Sequence, residues 1–198
     1  MKTQQETTGE YILRIVAPLF NKKGYVATSL SDLEKATGLT KGAIYRNFKS
    51  KEDLAVQAFK QNIRRVIAPL SAAMEAQSSI PEKLFTLTDY YRKYFHKALE
   101  LGGCPLLNIS VDAHYTNPEL FQKAKKVTNN IENSLEQFIS DGIANGEINP
   151  AIDARIYAQK IFSMIQGSVF LAFLNEDSTY TENMMDQIDQ MIKTEMMV

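Results

Sequence analysis

Apolar residues recur at intervals of three and four along most of the chain, the pattern of amphipathic α-helices. The first such run lies within residues 6–23 and ends at Gly24. Its apolar positions are Ile12, Ile15, Val16, Leu19 and Phe20. Because Pro18 lacks a backbone N–H, we expect this first helix to bend near Arg14.

Two short helices with capping signals follow. Ser29 and Asp32 have the spacing of a capping box, and Gly38 suits a left-handed helix end. Thr40 caps the second helix, which we expect over residues 41–47, with a length of roughly 10 Å. A helix of that size fits the major groove of DNA, which is roughly 12 Å wide. The segment therefore predicts a DNA-reading helix-turn-helix.

The rest of the chain predicts six further helices. Ser50 with Asp53 opens a long one that Pro69 should bend or end. The others are expected over residues 81–101, 105–114, 117–144, 153–174 and 179–192, the last one opened by Thr179 with Glu182. The predicted fold class is all-α, with about nine helices. Three of them form a head in residues 1–50, and residues 51–198 form a larger helical body.

Charge is also unevenly distributed along the chain. The net charge of the whole chain is only −1. Residues 1–60 contain ten Lys or Arg against six Asp or Glu, a net charge of +4, whereas residues 61–198 contain twelve against seventeen, a net charge of −5. The positive part holds the helix-turn-helix, as phosphate neutralisation requires. A net charge of only +4 in residues 1–60 of each chain is modest for DNA binding, which indicates that two copies of the chain act together.

Composition also bears on the compartment and on metal chemistry. No apolar stretch approaches the roughly 20 residues that cross a bilayer, and the first ten residues lack the apolar segment of a secretory signal. A single cysteine, Cys104, excludes an internal disulfide and a cysteine-rich metal site. We therefore expect a cytoplasmic protein without metal or cofactor.

The ordered motifs of the head resemble one family. Residues 11–59 are similar to the DNA-binding domain of the tetracycline-repressor (TetR/AcrR) family, through the segments LFNKKGY, SLSDLEKATGL, TKGAIYRNF and SKEDL. The body resembles family members in length and helix count, and GGCPLLN (102–108) is familiar from some of them. The resemblance implies a homodimeric transcription regulator whose head binds operator DNA and whose body, residues 51–198, dimerises and binds a small-molecule effector.

Helical spacing separates the buried from the exposed residues of the recognition helix. Ile44 and Phe48 lie four apart and should pack inward, against Leu30, Leu33 and Phe20. The N–H groups of the first turn should face a phosphate. Arg46 matches a guanine edge and Asn47 an adenine edge. The DNA-binding candidates are Ser29, Ser31, Thr40, Lys41, Gly42, Ala43, Tyr45, Arg46, Asn47 and Lys51.

Some of these residues have a simpler interpretation. Ser29, Thr40 and Ser50 could be helix caps and nothing more. Lys41 and Lys51 could be solvated surface charges.

Aromatic residues are frequent in the body and predict a pocket for a small apolar or aromatic effector. The candidate ligand-binding residues are Tyr91, Tyr94, Phe95, Cys104, Leu107, Tyr157 and Phe162. The alternative is that these side chains form ordinary core, as aromatic stripes at helical spacing usually do.

Cys104 supports a different hypothesis. It directly precedes Pro105, at the start of a predicted helix, where the helix dipole favours a thiolate. The protein could therefore sense oxidants or electrophiles through this thiol. The alternative is a small buried apolar residue.

The last two helices predict the dimer interface. Each carries an apolar stripe, and two helices from each chain would form a four-helix interface. The candidate residues are Ile161, Ile165, Ser168, Val169, Ala172, Met184, Ile188, Met191 and Ile192. An intramolecular core is the alternative.

Enzymatic motifs are not found in the sequence. His96, His114 and Cys104 offer no more than a weak Cys–His pairing, and there is no phosphate loop, nucleophile elbow or HExxH helix. The sequence therefore predicts a repressor that an effector releases from its operator, and not an enzyme. An effector-independent DNA-binding protein is the other interpretation.

Overall fold

The computed structural model describes residues 6–198, and the all-α prediction is confirmed for them. Their regular structure consists of ten α-helices, a terminal π-helical turn and one isolated antiparallel bridge between Ile148 and Met197. The helices are α1 (Thr8–Lys23), α2 (Leu30–Thr37), α3 (Lys41–Tyr45), α4 (Lys51–Glu75), α5 (Ile80–Arg92), α6 (Tyr94–Leu101), α7 (Pro105–Ala113), α8 (Pro118–Ala144), α9 (Ala154–Asn175) and α10 (Thr179–Met191); the π-helical turn is Ile192–Met196. None of the described helices is both long and apolar enough to cross a membrane.

The helix signals of the head are largely confirmed. Ser29 and Asp32 form the predicted capping box, and Gly38 ends α2 with a left-handed φ of 68°. Pro18 lies inside α1 without ending it. The recognition helix is shorter than the predicted residues 41–47. Helix α3 ends at Tyr45, and Arg46 is its carboxyl-terminal cap.

Two later predictions are corrected, and a third is narrowed. The single helix expected over residues 81–101 is interrupted at Lys93, which gives α5 and α6. Of the two effects predicted for Pro69, an end to the helix is wrong, because α4 continues to Glu75, and a bend stays a prediction. At the start of α10, the Asp177 carboxylate accepts the N–H of Thr179 (2.9 Å), so Thr179 is the first helical residue and not its cap.

The chain divides into two compact units. The first unit contains the described residues up to Val66 together with Leu101–Lys126, and the second contains Ile67–Glu100 together with Val127–Val198. Helix α7 and the start of α8 therefore belong to the same unit as α1, α2 and α3. The functional boundary after residue 50 stays a prediction.

Each unit has its own apolar core. In the first unit, Ile12, Leu33, Ile44 and Leu54 are fully buried. In the second unit, α10 packs against both α9 and α5. Its fully buried side chains include Leu84, Ile139, Ile161, Ile165, Met185 and Ile188.

Candidate nucleic-acid interface

The recognition helix α3 is fixed by two apolar side chains that face inward. Ile44 is fully buried and Phe48 is 4% exposed, as the spacing predicts, and Leu33 and Phe20 are buried in the same unit. The opposite face of the segment is polar and open. Lys41, Gly42, Arg46 and Asn47 are exposed, and Ala43 and Tyr45 are half-buried.

Two of the first backbone N–H groups of α3, those of Ala43 and Lys41, have acceptors within the protein. Thr40 Oγ1 accepts the N–H of Ala43 (3.3 Å), as expected of a cap. The carboxylate of Glu34 accepts the N–H of Lys41 (2.6 Å). The prediction that the Lys41 N–H faces a phosphate is therefore corrected. Sequence reasoning missed Glu34, because a spacing of seven residues is not a capping pattern.

The Ser29 hydroxyl both donates and accepts a hydrogen bond within its capping box. Its hydroxyl donates to Asp32 Oδ2 (2.6 Å) and accepts the N–H of Asp32 (3.1 Å). The same carboxylate oxygen accepts a bond from Lys23 Nζ (2.6 Å). The bond from Lys23, followed by those from Ser29, holds the pKa of Asp32 well below its ordinary value. Ser31, which precedes Asp32, is exposed.

The two side chains that we expect to read bases differ in their hydrogen bonds within the protein. Arg46 is exposed. The side-chain amide of Asn47 donates to the Ala43 carbonyl oxygen (3.0 Å), which leaves its second N–H and its Oδ1 for an adenine edge. Burial, and after it the charge of Glu52, raises the pKa of Tyr45.

Lys51 lies on an aromatic ring that the sequence did not identify. Its Nζ is 4.5 Å from the centroid of the Tyr25 ring, which itself stacks on Phe20 at 6.2 Å. The Tyr25 hydroxyl donates to Glu52 Oε1 (2.5 Å). Burial, followed by this bond, raises the pKa of Tyr25 to about 12. The ring therefore holds the Lys51 ammonium at the start of α4.

Helix α7 is tied to the loop between α1 and α2. Asp112 Oδ2 accepts the backbone N–H groups of Tyr25 (2.6 Å) and Val26 (3.4 Å). Gly24, with a φ of 85°, leaves room for this carboxylate, since a Cβ there would lie 3.1 Å from Asp112 Oδ1. The loop that leads to the recognition helices is thus anchored on α7.

A second tie joins the carboxyl-terminal end of α1 to the turn before α7. The amide of the buried Asn21 donates to the carbonyl oxygens of Leu101 (2.7 Å) and Gly103 (3.2 Å). Asn108 donates to the carbonyl oxygens of Asn21 (3.0 Å) and Gly102 (2.7 Å). A Cβ at Gly102 would lie 2.3 Å from Lys22 Cγ, so the turn needs glycine for this close approach.

Two of the predicted ligand-binding residues lie together. The rings of Tyr91 and Tyr94 are buried in the second unit with centroids 5.4 Å apart, and Tyr90 lies against both. Phe162 is also buried. Phe95 is half-buried against His96 at 5.5 Å.

The other ligand candidates have other surroundings. The Tyr157 hydroxyl donates to Glu195 Oε2 (2.6 Å), which engages it with the carboxyl-terminal turn. Cys104 and the half-buried Leu107 belong to the first unit. Burial raises the pKa of the Cys104 thiol, and the N–H groups of Leu107 and Leu106 offset this only in part. The predicted thiolate activation is therefore wrong in direction.

The dimer-interface prediction is corrected residue by residue. Eight of its nine side chains are buried in the core of the second unit, which leaves them no surface for a partner: Ile161, Ile165, Ser168, Val169, Ala172, Ile188, Met191 and Ile192. The ninth, Met184, is half-buried. The exposed apolar residues of α9 lie on another face, and they are Ile156, Phe170, Leu171 and Leu174. At 100° per residue these four positions fall on one stripe, with the exposed Ser163 and Gly167 between them.

Comparison with known proteins identifies the family. The model for bacterial regulatory proteins of the tetR family matches residues 12–58, and that for the tetracyclin repressor-like C-terminal domain matches residues 81–188. The HTH-type transcriptional repressor ComR of Escherichia coli is 32% identical over 154 residues, covering 75% of this chain and 71% of ComR.

Solved structures agree with this result. A TetR transcriptional regulator from Chloroflexus aurantiacus superposes with a TM-score of 0.90 at 32% identity, covering 96% of both chains. A TetR-family regulator from Cytophaga hutchinsonii does so with a TM-score of 0.87 at 30% identity, covering 98% of this chain and 96% of that one. Family models match both the helix-turn-helix region and the helical region that follows it. The chain therefore belongs to the TetR family of bacterial transcriptional regulators.

Proposed function

We propose that this regulator binds operator DNA through the exposed face of α3 and represses transcription until a small apolar or aromatic effector releases it. The observation that carries the DNA-binding part is the division of residues 41–48, which are α3 and the three residues after it, between two faces. Ile44 and Phe48 are buried, whereas Lys41, Arg46 and Asn47 face solvent in a segment with an excess of positive charge.

Some of the exposed residues contact base edges, and others hold the protein on the phosphate backbone. Arg46 reads a guanine edge, and Asn47 reads an adenine edge with its Oδ1 and the amide N–H that is not bonded to Ala43. Thr40 and Lys41 contact phosphate, because the Thr40 hydroxyl can still donate its hydrogen while it accepts from Ala43. Lys51, placed by the Tyr25 ring, anchors the other end of the segment.

The active form is a homodimer. Two recognition helices reach successive major grooves when they lie roughly 34–36 Å apart, which one head alone cannot achieve. The exposed apolar stripe of α9 supports this assembly, since Phe170, Leu171 and Leu174 would be covered by the same stripe of a second copy. The small residues Ser163 and Gly167 in the stripe allow close helix packing.

The effector site lies at the tyrosine cluster of the second unit. Tyr90, Tyr91 and Tyr94 combine large apolar area with hydroxyls that can orient a ligand. The related fold does not itself fix the ligand, since FadR of Bacillus subtilis was crystallised with stearoyl-CoA and a regulator of Saccharomonospora viridis with choline. Burial raises the pKa of Tyr90, so its hydroxyl stays protonated and can both donate and accept a hydrogen bond.

Release follows from a shift between two head spacings. Moving an equilibrium from 1:99 to 99:1 requires about 5.5 kcal/mol of differential ligand affinity. The bonds from Asp112 and Asn108 tie α7 to α1 and its following loop, so a displacement of α7 would move the loop that leads to the recognition helices. Repression is favoured over activation because a head that covers promoter DNA excludes polymerase.

The proposal is tested by selecting binding sites from a pool of random duplexes with the purified full-length protein. We expect enrichment of a palindromic site with two half-sites about one helical turn apart. Enrichment of no sequence would overturn the DNA-reading assignment. A panel of acyl-CoAs, aromatic acids and quaternary amines is then tested for thermal shift and for release of the selected site. Binding of that site unaffected by every thermally active compound would favour the effector-independent alternative.

A further inference from the structure

Glu34 is an acidic side chain in a segment that the proposed function places against DNA. It lies in the last turn of α2, one turn beyond the exposed Ser31. Its Oε1 accepts the N–H of Lys41, the first residue of α3, at 2.6 Å. The carboxylate is therefore held beside the end of the recognition helix that contacts base edges in helix-turn-helix proteins.

A carboxylate in this position lacks a partner among phosphates. Phosphate oxygens repel it, and they attract the Lys41 and Arg46 side chains that surround the same helix. The groups of the major groove that can instead donate to a carboxylate are the amino groups of cytosine and adenine, and Glu and Asp pair with cytosine N4. The bond from Lys41 fixes Oε1 and leaves Oε2 as an acceptor.

We propose that Glu34 is a specificity-determining residue that accepts a hydrogen bond from a cytosine amino group at one position in each operator half-site. Its acceptor complements the donors of Arg46 and Asn47, so the three side chains together read different base edges. The inference rests on the proposed DNA-binding function. It adds an acidic reader, on α2, to a recognition surface otherwise made of cationic and neutral side chains.

The test compares binding-site selection by the wild-type protein with selection by Glu34→Gln and Glu34→Ala. In Glu34→Gln the side-chain oxygen still accepts the Lys41 N–H, so the helix start is preserved, while the charge is lost and the second acceptor becomes an NH2 donor. The matched control is Glu82→Gln in the second unit. It removes the same charge from a carboxylate that likewise caps a helix, accepting the N–H of Ser79 at 3.0 Å.

We expect the wild-type protein and Glu82→Gln to require cytosine at one half-site position, with at least about a fivefold loss of affinity for other bases there. Both Glu34 variants should lose that preference while other positions keep theirs. Uniformly tighter binding of all sequences by Glu34→Gln would overturn the inference, because the carboxylate would then only repel phosphate. An unchanged preference would overturn it too. If the wild-type protein selects no sequence, the proposed DNA-reading function itself fails.

Discussion

The side-chain amide of Asn108 donates to the backbone carbonyl oxygen of Asn21 at 3.0 Å, and Asn21 returns a bond to the turn before α7. Asn21 is only 7% exposed, so its donors satisfy carbonyl groups that are shielded from water. An unsatisfied buried polar group costs about 1–3 kcal/mol. These bonds therefore stabilise the attachment of α7 to α1.

Replacing Asn21 by Ala should lower the free energy of unfolding by about 2–3 kcal/mol, because two carbonyl acceptors lose their donor. Urea denaturation at one fixed protein concentration measures this change. The control is Asn130→Ala on α8, whose side chain is exposed, and it should change stability by less than about 0.5 kcal/mol. Equal losses in the two variants would show that the Asn21 bonds contribute nothing.

Alkaline pH should weaken the fold through Tyr25. Its pKa is raised to about 12 in the folded protein, first by burial and then by the bond to Glu52. The unfolded chain loses this proton near pH 10, so the stabilisation present below that pH disappears as the pH rises towards 12. The expected loss is about 1–2 kcal/mol.

Tyr25→Phe isolates this contribution, since it keeps the ring against Phe20 and Lys51 and removes only the hydroxyl. Urea unfolding across the alkaline range should show a shallower loss of stability in the variant than in the wild type. Parallel curves would mean that other groups, and not Tyr25, titrate on unfolding.

Capping chemistry explains why so much of the fold could be predicted from the sequence. Ser29, Asp32 and Gly38 mark both ends of α2 by local hydrogen bonds and a local left-handed φ, which sequence spacing encodes directly. Likewise, the burial of Ile44 and Phe48 follows from their spacing of four residues. These features depend on neighbours along the chain.

The remaining features depend on contacts between distant segments. The Asp112 carboxylate accepts a hydrogen bond from Tyr25, which is 87 residues away, and the local sequence around neither residue predicts this contact. The sequence predicts apolar stripes on α9 and α10, but periodicity cannot tell an intramolecular partner from a second chain. For Ile165 and Ile188 the partner proved to be the chain itself.

Substitutions in the head should separate base reading from phosphate anchoring. Arg46→Ala should weaken operator binding by about 1–3 kcal/mol and change random DNA much less, whereas Lys51→Ala should weaken both and reduce the salt slope by about one. Fluorescence anisotropy at several salt concentrations measures both quantities. Arg64→Ala, which removes an exposed arginine further along α4, serves as the control. Equal losses on operator and random DNA for Arg46→Ala would contradict its role as a reader.

The exposed stripe of α9 predicts which substitutions separate the two copies. Leu174 is 63% exposed and Phe170 is 44% exposed, so Leu174→Glu and Phe170→Glu should leave the fold intact but place charges in the proposed dimer contact. We expect both variants to sediment as monomers at micromolar concentration and to bind operator far more weakly, since one head supplies half of the contacts.

Val111→Glu provides the matched control, because Val111 is also apolar, is 71% exposed and lies in the first unit. It should remain a dimer. Ile165→Glu gives the contrasting result, since a side chain that is only 2% exposed cannot accept a charge without unfolding the second unit. A dimer that persists in Leu174→Glu and Phe170→Glu would place the contact on another surface of the chain.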